Sequence, residues 1–308
     1  MVSLLMPLAL VLAVGSAPDR ATLAPFLPQD SLRWAIERRI GNVNGAVVGV
    51  AFHDLQTGDT LFSNADDSFH AASTMKVPVM IELFRRIDAR ALSLDQGILL
   101  VNQFGSIVDG SPFSLDAGDD SDSSAYTLTG QRVPVRELID RMITRSSNLA
   151  TNALIELVGA DHANATAHEL GARNIRVLRG VEDSKAFRAG LNNTTTSRDL
   201  AVLLEAIETG RAASRSSCDA MRDILLRQEF SAEIPAGLPA GTKVAHKTGW
   251  ITGVLHDAAI VYPANRKPYV LVVLTRGIPE EKVARQLIVD ISRLVYEHAV
   301  GDRVASGS

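Results

Sequence analysis

The chain has 308 residues, of which 46% are hydrophobic and 21% charged, with a formal net charge of −4. That balance suits a globular protein with a sizeable core, and it excludes the basic footprint of a nucleic-acid binder, since no Lys/Arg block occurs anywhere. The single cysteine, Cys218, has no partner for an internal disulfide and reads as a small buried hydrophobe.

The chain begins with MVSLLMPLALVLAVGSAPDR, in which an apolar run of roughly 14 residues ends in small ones. This is too short for a membrane span and has the length of a secretory h-region, although no Lys or Arg precedes it. Residues 1–17 are therefore expected to be a signal peptide, and the mature chain to be exported without a membrane span.

Next, QDSLRWAIERRIG carries Leu32, Trp34, Ile36 and Ile40 among charges and ends in Gly, the pattern of an amphipathic helix with a stop. GAVVGVAFHDLQTGDTLFSN is a β-branched run, a Thr-Gly-Asp turn and a second run, which predicts a hairpin. From residue 73 to about 228 the apolar positions recur at helical spacing. Within that region, DGSPFSLDAGDDSDSSAYTLTGQRVP is rich in Asp, Ser and Gly and reads as an exposed loop. It lacks the spacing of a calcium-binding loop.

Past residue 240, KVAHKTGW, VLHDAAIVYP and PYVLVVLTRG predict three strands, joined across Thr252-Gly253 and across ANRK. The last helix, PEEKVARQLIVDISRLVYEHA, starts with Pro and acidic residues, as helix N-termini do. The expected fold is α/β: one antiparallel sheet flanked by N- and C-terminal helices, with an all-α lobe inserted between its second and third strands. Residues 18–71 and 229–308 form the α/β lobe in this reading, and 72–228 the all-α lobe. The cleft between them is the expected site.

Three short motifs carry chemistry. Ser73-Thr74-Met75-Lys76 places an amine one helical turn from a hydroxyl, ahead of the apolar run VPVMIELF. A serine becomes a nucleophile when a base takes its proton, and a lysine serves as that base when burial and a neighbouring cation favour its neutral form. Ser146-Ser147-Asn148 interrupts an apolar helical pattern, and alone it would read as a helix junction or capped loop. Lys247-Thr248-Gly249 ends a strand, and its cation, hydroxyl and glycine suit a ligand's carboxylate; alone it would read equally as an edge-strand lysine running into a turn.

In this order the three resemble S-x-x-K, S-D-N and K-T-G, the set of class A β-lactamases and penicillin-binding proteins. The likeness spans nearly the whole mature chain. It extends to Asn152, four residues after Asn148, to TTTSRDLA at the close of the Ω-loop, and to HDAAIVYP after K-T-G. It implies Ser73 as nucleophile, Lys76 as its base, and Ser146 as proton relay to the leaving nitrogen. It further implies Asn148 on the substrate's side-chain amide, Lys247, Thr248 and Gly249 at the substrate carboxylate, and an oxyanion hole from the N–H groups of Ser73 and Trp250. The resemblance implies a monomer acting on a small β-lactam or a D-Ala-D-Ala peptide, with no cofactor and no metal.

The chain departs from the pattern twice. The second motif has Ser147 where the family has Asp. The Ω-loop stretch RGVEDSKAFRAGLNNTTT has no E-x-x-L-N and is shorter, with Glu182 as the nearest replacement for the deacylating glutamate. An alternative assigns Glu182 and Asp183 to holding Arg179 or Arg188 and shaping the loop. Three activities are thus open: a β-lactamase, a DD-peptidase of the penicillin-binding protein A type that releases β-lactams slowly, and an acylated penicillin-binding sensor.

Overall fold

A computed structural model of the chain describes residues 29–301, and the expected leader at 1–17 lies outside them. The first helix, α1, spans Gln29–Gly41, where Leu32 and Ile36 lie one turn apart and are fully buried. Trp34 does not share their face: it is 60% exposed, with the Arg38 guanidinium 5.1 Å above its ring. Two residues from Leu32 is more than half a helical turn, so the buried stripe here is i, i+4 alone.

The hairpin follows as β1 (Val47–Asp54) and β2 (Thr60–Ser63). Late in the chain come β3 (Lys243–Ile251), β4 (Val254–Tyr262) and β5 (Tyr269–Arg276). All five pair antiparallel in the order β2-β1-β5-β4-β3. The β3–β4 turn is the two residues Thr252-Gly253, with Gly253 at φ +74°, a left-handed value that favours glycine. Along β5, Val270, Val272 and Leu274 pack toward the helical lobe, while Tyr269, Leu271 and Val273 face α1 and the C-terminal helix. Both faces are covered, which is why the strands read as continuous apolar runs rather than alternating ones.

Between β2 and β3 lie α2 (Lys76–Asp88), α3 (Val135–Thr144), α4 (Asn148–Val158), α5 (Ala160–Glu169), α6 (Ser184–Arg188), α7 (Ser197–Glu208) and α8 (Arg215–Leu225). The final helix, α9, spans Glu281–Gly301. α2 is buried on every side from Lys76 to Phe84, because α3, α4, α5, α7 and α8 all pack on it. α7 lies across β1, β4 and β5 and joins the helical core to the sheet. Cys218 is buried in the same core.

The Asp-rich segment is less exposed than its composition predicts. It forms a 3₁₀ turn over Ser123–Leu128, and Asp120, Asp122 and Ala125 are buried. Its acids have partners: Asp122 accepts from Arg141 Nη1 at 2.8 Å, and Asp120 accepts from main-chain N–H groups of α4. Charged groups enter a protein interior when they are paired in this way.

Candidate active site

Ser73 sits on a 3₁₀ turn, Ala72–Met75, immediately before α2. Two cavities of about 490 and 520 Å³ meet at this residue and at Ser121 and Trp250. Ala72, just before the serine, has φ +44°, a strained value for a residue with a Cβ. β3 lies directly behind the turn. A Cβ built on Gly249 would come within 3.2 Å of Ala72 Cβ and Thr74 Cγ2 and 3.3 Å of Ser73 N. The glycine therefore lets the strand come against the serine turn.

Lys76, the first residue of α2, is fully buried. Its Nζ donates to Ser146 O at 2.6 Å, Asn148 Oδ1 at 3.0 Å and Ser146 Oγ at 3.1 Å. The i, i+3 spacing suggests a direct Ser73–Lys76 bond, but the amine is turned to the second motif instead. Burial, and next the Lys247 charge, hold the Lys76 pKa well below its ordinary value; Asp120 and Glu182 oppose them. The amine is thereby favoured in the neutral form that a general base requires.

Ser146 and Asn148 flank a true helix junction. Ser146 lies between α3 and α4 at φ +58°, and Ser147 is the N-cap of α4, its Oγ accepting from Ala150 N at 3.3 Å. The motif is both the junction and the meeting point of the site. Ser146 Oγ takes a second bond from the other side, from Lys247 Nζ at 3.1 Å. Lys247 is also fully buried and additionally donates to Thr248 O at 3.0 Å. Burial brings its pKa down to about 7, against the raising influence of Asp257 and Glu233.

Asp257 is one of the residues that the sequence did not reveal as part of the site. On β4 it stands opposite Thr248, and its Oδ1 lies 3.0 Å from His246 Nδ1 while Oδ2 accepts Ile234 N at 3.0 Å. No motif marks it, because its relation to Lys247 arises from cross-strand register. Trp250 follows the third motif, 57% exposed at the edge of both cavities. Thr248 lines the cavity of about 490 Å³ together with Ser73 and Ser146. His162 and His168 lie on an exposed face of α5, and His168 Nε2 bonds Ile175 O.

The shortened loop separates its two adjacent acids. Asp183 is buried and shapes the loop: it accepts from Ile107 N at 2.9 Å, Ser106 Oγ at 3.0 Å and Ala186 N at 3.0 Å, the last as N-cap of α6. On the other side, Val181 is held by Asn152, whose Oδ1 accepts Val181 N and whose Nδ2 donates to Val181 O. Glu182, pinned between them, adopts φ +62° and faces the cavity, where its Oε1 accepts from Asn148 Nδ2 at 2.5 Å. Desolvation raises its pKa, the Asn148 bond lowers it, and the Asp120 and Asp119 charges raise it further, leaving it above the usual carboxylate value. Arg179 bonds Leu191 O, Gly180 O and Asn192 Oδ1, so neither acid holds it; Asp183 shapes the loop through Ser106, Ile107 and Ala186 instead of through an arginine.

One hydrogen-bonded string therefore runs Glu182–Asn148–Lys76–Ser146–Lys247 beside Ser73. It offers a nucleophile, two amines of depressed pKa, a shared hydroxyl and a carboxylate. Such a set performs acyl transfer by addition to a carbonyl. Among the described residues, no group of three or more His, Cys, Asp or Glu is arranged to hold a metal ion, and no helix is long and apolar enough to cross a membrane.

Residues 31–299 match the model of the Beta-lactamase enzyme family. A β-lactamase of Streptomyces lavendulae is 27% identical over 303 residues, covering 95% of this chain and 94% of that one. The β-lactamase AST-1 of Nocardia asteroides is 29% identical over 259 residues, covering 82% and 79%. Among solved structures, PBP-A superposes with a TM-score of 0.76 at 29% identity, over 90% of this chain and 98% of that one. A PBP-A variant in an acyl-enzyme complex with penicillin G gives a TM-score of 0.72 at 28% identity, over 89% and 98%.

With the family model covering most of its length, the chain belongs to the Beta-lactamase enzyme family. It has that family's fold, an antiparallel sheet with an inserted helical lobe.

Proposed function

We propose that this protein hydrolyses β-lactams through a covalent ester on Ser73, with Glu182 driving the release. The observation that carries the reading is Ser146 Oγ, held by both Lys76 and Lys247 beside the serine turn. Neutral Lys76 takes the Ser73 proton as Oγ adds to the lactam carbonyl carbon. The backbone N–H groups of Ser73 and Trp250 receive the developing oxyanion. When the C–N bond breaks, the nitrogen takes a proton from Ser146, which is resupplied from the lysines. Lys247 and Thr248 hold the substrate carboxylate, and Asn148 the amide of its acyl side chain.

Release adds one water. Glu182 removes its proton, hydroxide adds to the ester carbon, and as the C–O bond breaks Glu182 returns that proton to Ser73 Oγ, which restores both groups and the free enzyme. A base so placed contributes about 10²- to 10⁴-fold, which is the difference between a turnover enzyme and a trapped adduct.

A second reading, a D-Ala-D-Ala peptidase, draws on the likeness to PBP-A and on the missing E-x-x-L-N. The β-lactamases among the relatives weigh against it. The apolar leader supports export, so the reading extends to an enzyme outside the cytoplasm, acting where β-lactams arrive. Steady-state hydrolysis of a chromogenic cephalosporin tests the proposal: many turnovers per protein, abolished in Ser73→Ala, support it. A single stoichiometric burst would replace it with the peptidase reading.

A further inference from the structure

The first N–H groups of a helix have no intrahelical acceptor. In α4 those groups belong to Asn148 and Leu149, at the centre of the site. Ser147, the middle residue of the second motif, answers only Ala150 N with its side chain. The two leading amides are taken by Asp120, 28 residues earlier in the chain: its Oδ2 accepts Asn148 N at 2.9 Å and Leu149 N at 3.0 Å.

Asp120 is itself fixed. Tyr126 Oη donates to Oδ2 at 3.1 Å, and Asp122 N donates to Oδ1 at 2.9 Å. The residue is buried, while its neighbours Asp119 and Ser121 line the cavity. A carboxylate at the positive end of a helix dipole is also favoured electrostatically. Four donors thus converge on one buried acid that does not itself line either cavity.

We propose that Asp120 is a positioning residue for the acylation reaction, clamping the start of α4 so that Asn148 stays between Lys76 and Glu182. It supplies from the facing loop an acid that the Ser-Ser-Asn motif lacks. The inference rests on the proposed acyl-enzyme chemistry, but its structural part is independent of turnover.

The clamp also acts through its charge. Lys76 faces Lys247, Asp120 and Glu182; Glu182 faces Asn148, Asp120, Asp119 and Lys76. Removing the Asp120 charge therefore lowers the Glu182 pKa, and the acid limb of ester release moves to lower pH. A purely structural role would move the limb the other way, because a displaced Asn148 no longer holds the Glu182 pKa down.

The test compares wild type with Asp120→Ala, Asp120→Asn and the double variant Asp120→Ala/Ser147→Asp. Labelling by a fluorescent penicillin reads acylation, and hydrogen exchange reads the Asn148 and Leu149 amides. Losing charge-assisted bonds of this kind predicts a drop in acylation rate of about tenfold to a hundredfold in the alanine variant. An N-cap Asp accepts from the second or third helical amide, here Leu149 N or Ala150 N, and not from Asn148 N, so the double variant should recover only the part of the loss carried by Leu149. Asp120→Asn, nearly isosteric, should fold and show the shifted limb. Wild-type acylation in Asp120→Ala, or exchange at Asn148 and Leu149 no faster than in wild type, would overturn the proposal. If the wild type is labelled but does not turn over, the hydrolase reading fails, and the labelling and exchange results still decide the clamp. If it is not labelled at all, exchange alone decides it.

Discussion

Lys76 and Lys247 donate to the same atom: each Nζ lies 3.1 Å from Ser146 Oγ, and both side chains are fully buried. Two ammonium groups on one hydroxyl in a low-dielectric interior oppose each other's charge. The arrangement favours loss of a proton at this point, where the proposed chemistry needs a base and then a relay. Replacing Ser146 with Ala removes the bridge, and the account predicts that acylation slows by about 10²-fold or more. Rapid-mixing labelling with a fluorescent penicillin measures this directly; acylation at the wild-type rate would remove Ser146 from the relay.

The same burial makes stability depend on pH. Lys247 has a pKa of about 7 in the fold, against about 10.4 for an unfolded lysine. Between those values the unfolded chain binds the extra proton, so unfolding free energy rises with pH across the window and is lost as pH falls toward 7. Lys247→Met should flatten that slope and stabilise the protein below pH 7 by up to about 5 kcal/mol, while weakening β-lactam binding. Urea unfolding of both proteins at pH 6 and pH 10 checks it, and parallel slopes would contradict the assignment.

Glu182 must be ionised to accept a proton from water, and its pKa is raised. Release of the acyl-enzyme should therefore fall as pH drops through a value above that of an ordinary glutamate. Glu182→Gln should abolish the limb and lead to accumulation of the ester, with kcat reduced by about 10²-fold or more and acylation nearly intact. Single-turnover kinetics separate the two steps; unchanged release in the variant would assign the base elsewhere.

Asp183 holds the loop rather than the water. Asp183→Ala removes an acceptor from Ser106, Ile107 and Ala186 and should cost about 1–3 kcal/mol of stability. It should slow release more than acylation, because the left-handed Glu182 loses one of its two flanking anchors. Thermal unfolding together with burst kinetics tests both parts, and an equal loss in the two steps would contradict this division of roles.

Gly249→Ala probes the contact between β3 and the serine turn. Its Cβ would meet Ala72, Thr74 and Ser73 N at 3.2–3.3 Å, so the turn must shift by a few tenths of an ångström. Because Ser73 N is an oxyanion donor in the proposed mechanism, acylation should fall about tenfold or more. The fall should appear in kcat/KM, with unfolding little changed.

The strands and terminal helices were legible because turn chemistry and long apolar runs are local signals: Thr252-Gly253 marks the β3–β4 turn, and Leu32 and Ile36 mark the buried face of α1. Trp34 was misleading because a large apolar side chain is as much at home beneath an arginine as in a core. The three motifs were legible as residues but not as bonds; Lys76 turns to Ser146 and Asn148 through the packing of α2 against α4. Asp120 was hidden in a stretch whose composition reads as solvated, since its partners are main-chain amides far along the chain. Glu182 was legible as the nearest acid to replace the missing glutamate, but not its division of labour with Asp183, because that rests on one left-handed backbone angle fixed by Asn152 on one side and the Asp183 cap on the other.

The most direct test of the central claim is a rapid-quench mass-spectrometric time course with a penicillin in excess. The account predicts a mass increase of one intact penicillin, mapped to the peptide containing Ser73, which forms early and disappears once substrate is consumed. A stoichiometric adduct that persists after the substrate is removed, or no adduct on that peptide, would contradict it.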